Sequence, residues 1–150
     1  MNDSIDQYNS FLRGEISAVE TYKMAASKLA KSQHVGALRD NLKSHEERVR
    51  LLREKVTKEG GTPADGSGAW GTFAKLVEGG AAAFGEKAAI AALEEGEDHG
   101  RNDYQREIES LKGPAREFVQ GLLAEQLKTH AVLSNLKRTM SGEPPRQPSA

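Results

Sequence analysis

The chain contains no cysteine, so disulfides, thiolate metal sites and cysteine nucleophiles are all excluded. That absence fits a reducing compartment. Aromatic residues make up only 5% of the 150 residues, with a single tryptophan. There is almost no charge of one sign in excess. Lysine and arginine number 21 against 22 acids, a net charge of −1. Such a balance gives no drive toward nucleic acid or an anionic membrane surface. No apolar run approaches the ~20 residues of a membrane span. The opening MNDSIDQYNSF has neither the basic nor the apolar region of a signal peptide. No Ser-His-Asp pattern, nucleotide-binding fingerprint or helix-turn-helix signature is present. The expectation is a cytoplasmic, single-domain protein.

What is present is helical periodicity. Four long segments place apolar residues at alternating steps of three and four. The first stripe runs Ile5, Tyr8, Leu12, Glu15, Val19, Tyr22, Ala26, Leu29. The second runs Val35, Leu38, Leu42, His45, Val49, Leu52, Val56. The third runs Ile90, Leu93, Glu97, Gly100, Tyr104, Ile108, Leu111. The fourth runs Val119, Leu123, Leu127, His130, Leu133 and continues to Met140. Narrow stripes of this kind make an antiparallel bundle.

The breaks between segments agree. Ser32-Gln33-His34 is a short turn. In Lys112-Gly113-Pro114, glycine stops one helix and proline starts the next. Short turns make antiparallel neighbours. Between the second and third helices, about 60–86, lies a crossover long enough to travel the bundle and leave those helices parallel. Trp70, Phe73, Leu76 and Val77 predict a short amphipathic helix within it, which covers the bundle or serves a homo-oligomer contact. The expected domain is 1–141. The tail 142–150, GEPPRQPSA, has three prolines and no period, and reads as disordered.

The chain also repeats itself. At an offset of 82 residues, Gly14-Glu15 meets Gly96-Glu97, Tyr22 meets Tyr104 and Leu29 meets Leu111. At an offset of 85, the stretch Asp40 to His45 meets Glu125 to His130, residue for close residue. The chain reads as two copies of one helical hairpin.

Four polar residues interrupt the stripes at matched places: Glu15 with Glu97, and His45 with His130. In the stretch Glu94 to Gly100, the core register passes through Glu97 and misses Glu94, Glu95, Asp98 and His99, which read as a solvated face. Hairpins packed about a pseudo-twofold axis would bring the four to one level. A buried carboxylate without compensation costs several kcal/mol, and two close together resist ionising. Two kinds of compensation are open. One is a divalent cation, Fe, Mn or Zn, held by two carboxylates and two imidazoles. The other is protonated histidines paired with the glutamates in a metal-free polar layer. Tyr22 and Tyr104 pack in the core or hydrogen-bond to the acids. Glu46, Glu47, Arg48 and Arg50 read as a solvated run of helix pairs.

The two-hairpin layout, with Gly-Glu and a following Tyr on the first helix, resembles the ferritin-like superfamily, and most closely its rubrerythrin-type domains. The resemblance covers about residues 4–140 and points to a small bacterial branch. It implies an all-α, ferritin-like four-helix bundle. It also implies that Glu15 and Glu97 match the terminal carboxylate ligands, and that His45 and His130 match the histidine of each Glu-x-x-His motif. A stress- or iron-related role would follow. Leu42 and Leu127 stand where the superfamily's bridging glutamates would be. That departure points to a single-metal site or a metal-free structural or interaction module instead of a di-iron centre.

Overall fold

The structure is a computed structural model that describes residues 2–68, 75, 77–80 and 84–142, with backbone only at 2 and 3. It is all-helical, with no strand among the described residues. Helix α1 spans Asn2–Lys28, α2 Val35–Lys58, α3 Glu86–Glu107 and α4 Gly113–Met140. A 3-10 turn, Ile108–Ser110, finishes α3.

The helix ends follow local chemistry. Gly60, with φ of +87°, lies just past the end of α2, where a left-handed residue lets Gly60 and Gly61 donate back to Thr57 and Val56. Pro114 occupies the first turn of α4, where its missing N–H costs nothing. In the turn after α1, the Ser32 hydroxyl accepts from the His34 N–H at 2.9 Å. Ser32 also contacts Glu86 at the start of α3.

Cross-helix contacts fix the directions. Gln7 near the start of α1 bonds Ser110 past the end of α3, and Phe11 stacks on Tyr104. So α1 and α3 run antiparallel. On the other side, Asn41 reaches Thr129 and Lys55 lies over the Phe118 ring, so α2 and α4 are antiparallel too. The packing neighbours are α1 with α2, α3 with α4, α1 with α3 and α2 with α4. Helices α2 and α3 therefore run parallel, as the long crossover predicts. The crossover begins along α1, where Asn9 accepts from the Ala64 N–H at 2.8 Å. Residues 77–80 are helical and Val77 is buried against Tyr22, Leu38 and Ile90. Trp70, Phe73 and Leu76, and the tail beyond Gly142, lie outside the described residues.

The core has three layers. One apolar cluster gathers Leu12, Leu52, Val56, Ile108 and Val119 at one end. A second gathers Ala25, Leu38, Ala89, Leu93 and Leu133 at the other. Each fully buried leucine stabilises the fold by roughly 1.5–3 kcal/mol. Between them lies a polar layer.

The fourth stripe takes a different path from the expected one. From Val119 to Leu133 it passes through Leu122, Gln126 and Thr129, and beyond Leu133 it continues with Leu136 and Met140 packed on the core. Leu127 is instead 43% exposed. Both paths step by three and four between the same ends. Apolarity favours Leu123 and Leu127, but the charges of the polar layer turn Gln126 and Thr129 inward. The buried rows of α2 and α4 correspond at a new offset. Leu38, Asn41, His45, Arg48 and Leu52 of α2 match Val119, Leu122, Gln126, Thr129 and Leu133 of α4, each 81 residues on. That is one helical turn away from the offset of 85 that residue similarity suggests.

Candidate polar core site

Glu15, His45 and Glu97 converge, as their positions on the stripes predict. Each is at most 3% exposed. His45 stands between the two acids. Its Nδ1 is 2.5 Å from Glu15 Oε1 and its Nε2 is 2.8 Å from Glu97 Oε2. A ring with a carboxylate on each nitrogen donates from both, so it is an imidazolium.

His130 does not join them. It lies one turn along α4 and outward, with Nε2 2.5 Å from Asp98 Oδ1 and 3.2 Å from Arg101 Nη1. Its expected place is taken by Gln126 and Thr129, whose side chains donate to Glu97 Oε1 at 2.9 and 2.8 Å. The reason is the shift of the α4 stripe.

The fourth charge comes from Arg48, which the solvated-run reading missed. Its side chain is 1% exposed, and Nη1 lies 3.2 Å from Glu15 Oε2. It also donates to Thr129 Oγ1 at 3.0 Å and contacts Gln126 Oε1. The signal was present in the spacing. Arg48 follows His45 by three residues and precedes Leu52 by four, a step as regular as the one the expected stripe takes through its neighbour Val49. Its neighbours Glu47 and Arg50 do face water and pair with each other.

The tyrosines hold the acids reciprocally across the two hairpins. Tyr22 of the first donates to Glu97 of the second at 2.6 Å, and Tyr104 of the second donates to Glu15 of the first at 2.5 Å. Asn41 in turn donates to the Tyr22 oxygen at 3.0 Å. Tyr22 also stacks on the His45 ring, with centroids 5.1 Å apart.

The electrostatics follow from these contacts. Burial pushes the Glu15 carboxyl up, but Arg48, His45 and the Tyr104 hydroxyl outweigh it and hold it at about 2. Glu97 is lowered in the same way, burial being overcome chiefly by His45. Burial opposes charge on His45, yet Glu97 and Glu15 raise it. Two carboxylates, one imidazolium and one guanidinium sum to zero.

This donor set does not fit a metal as it stands. His45 directs one nitrogen at each acid, so the three ligand-type side chains point at one another and not at a common centre. Arg48 sits where a second cation would be repelled. Among the described residues, no buried side-chain nitrogen or oxygen lacks a hydrogen-bond partner. None of them forms a His, Asp and Glu group arranged to hold a metal ion.

A cavity of ≈ 60 Å³ opens beside the cluster, between α1 and α3. Gly14 and Ala18 form one wall, and Ala92, Gly96 and Gly100 the other. Small residues on both helices leave this room. Among the described residues, no helix is long and apolar enough to cross a membrane.

Residues 3–110 match the family model described as Domain of unknown function (DUF2383), and the chain belongs to that family. The match takes in α1, α2 and α3, with Glu15, His45, Arg48 and Glu97, and stops before α4. No curated protein and no solved structure matches the chain.

Proposed function

We propose that this DUF2383 chain is a ferritin-like bundle that works without a metal, as a binding or interaction module. In this reading an internal ion network takes the place of the divalent cation. The ferritin-like assignment is supported by the antiparallel hairpins, the long crossover and the repeat-related acids. The metal-free assignment is carried by one observation: His45 bridges Glu15 and Glu97 through both ring nitrogens. A cation would have to displace that bridge and tolerate Arg48. The network is neutral and every buried polar atom in it is satisfied, which is what a buried charge cluster needs in order to persist.

The competing reading is a single Fe, Mn or Zn ion bound by Glu15, His45 and Glu97. It draws on their convergence beside a cavity. Metal content by mass spectrometry separates the two, on untagged protein, with and without soaking in each cation. The metal-free reading expects less than about a tenth of an equivalent, and an unchanged melting temperature in chelator. Near-stoichiometric metal that disappears in Glu97→Ala would overturn it.

A further inference from the structure

The cavity between α1 and α3 has a chemical bias. The Thr21 hydroxyl donates to the Ser17 carbonyl at 2.7 Å. The tyrosine hydroxyls donate to Glu15 and Glu97, and both ring nitrogens of His45 face the same acids. The Gln126 amide donates to the Glu97 backbone and side chain. Each of these donors lines the cavity, and each already has a protein acceptor.

Acceptors are in surplus. A carboxylate oxygen takes two hydrogen bonds. Glu97 Oε1 receives Gln126 and Thr129, and Oε2 receives Tyr22 and His45. Glu15 Oε2 receives Arg48 and Tyr104, whereas Oε1 receives only His45 among the described residues. The Tyr104 and Thr21 oxygens add lone pairs. A guest must therefore bring donors, and an anion or a carbonyl compound would find none to meet it. The remaining walls are Phe11, Leu93 and the small residues, which suit a short hydrocarbon, with Asp103, an acceptor paired with Arg106, at the edge. A volume of ≈ 60 Å³ holds several waters or one molecule of a few heavy atoms.

We propose that this cavity binds a small organic molecule with an O–H donor head and a short alkyl tail, seated with its head on Glu15. The class is that of short neutral alcohols, because Arg48, 3.2 Å from the other Glu15 oxygen, would repel a charged head. The proposal rests on the metal-free reading of the cluster, because a metal ion on Glu15 would occupy the same oxygen.

The test is an NMR titration of ¹³C-methyl-labelled protein, chelator-treated and checked for metal content. The probes are ethylammonium, ethanol and acetate. Ethanol should give saturable shifts at Ala18, Ala92 and Leu93, with a Kd on the order of 1–10 mM, the range open to so small a ligand. Ethylammonium should bind at least about tenfold more weakly, and saturation by ethylammonium alone would overturn the proposal. Acetate should shift nothing. Ala18→Leu should weaken binding at least about tenfold by filling the space, with Ala92→Leu as a second filling variant should the first fail to fold. Absence of saturable shifts in folded, metal-free protein would overturn this inference and leave the metal-free reading intact. Equal binding of acetate, or full affinity in both filled variants, would overturn it as well. Stoichiometric metal in the untreated protein would instead remove the reading beneath it.

Discussion

Arg48 Nη1 lies 3.2 Å from Glu15 Oε2, with both side chains almost wholly out of water. This pair sets the charge of the polar layer. Without Arg48 the layer would carry two acids against one imidazolium. Arg48→Met should therefore destabilise the fold by about 3–5 kcal/mol, the cost of leaving a buried charge uncompensated. Chemical denaturation of the variant is the check. Arg48→Lys should recover only part of the loss, since an ammonium cannot reach Glu15, Gln126 and Thr129 together as the guanidinium does. Full stability in Arg48→Met would show that the acids are not ionised.

The two histidines expected to act as equals should behave differently. His45→Gln breaks a bridge between two buried acids and should cost several kcal/mol. His130 is part-buried, and its partner Asp98 is 40% exposed, so His130→Gln should cost no more than about 1 kcal/mol. Melting temperatures of the two variants compared side by side decide this. Similar losses would contradict the geometry.

Stability should peak in mildly acidic solution. Glu15 titrates at about 2, below its ordinary 4.5. Its contribution is therefore present above pH 4.5 and is lost as the pH falls toward 2. For a fully buried group this is roughly 3 kcal/mol. Glu97 acts in the same direction. His45 is raised above its ordinary 6.5. Its contribution is full below pH 6.5 and is lost as the pH rises through the raised value. The two limbs leave a maximum between pH 4.5 and 6.5. Thermal melts across the pH range should show it, and His45→Gln should flatten the alkaline limb. A maximum well above pH 7 would argue against an imidazolium in the core.

Gly100 offers a test in which two effects oppose. Alanine is the better helix former by about 1 kcal/mol. Yet a Cβ there would stand 2.7 Å from Gln126 Nε2, closer than real contacts allow. Gln126 is held by Glu97 and Arg48, so it cannot swing away at little cost. Overpacking of this kind costs about 1–3 kcal/mol. Gly100→Ala should therefore be net destabilising by about 1 kcal/mol, read from urea unfolding. A stabilised variant would show that Gln126 moves easily.

Much of the fold is legible in the sequence because the stripes and the breaks carry it. Glu15, His45 and Glu97 stand out because each interrupts an apolar row that cannot be rotated without exposing its neighbours. The fourth helix lacks that constraint. Val119 and Leu133 belong to two equally good rows, and the apolar one, through Leu127, is not the one that is buried. What decides between them is charge on other helices, which no periodicity in α4 records. Arg48 was hidden for a related reason. It stands among true surface charges, and only its register separates it from Glu47 and Arg50.

The reciprocal bonds from Tyr22 to Glu97 and from Tyr104 to Glu15 bear on how the chain comes into being. During synthesis the first hairpin leaves the ribosome with Glu15, His45 and Arg48 but without Tyr104 or Glu97. It can collapse on its apolar ends, yet its middle cannot close until α3 has emerged. The nascent hairpin is thus obliged to wait, and a chain cut within the crossover should regain its structure only when both halves meet.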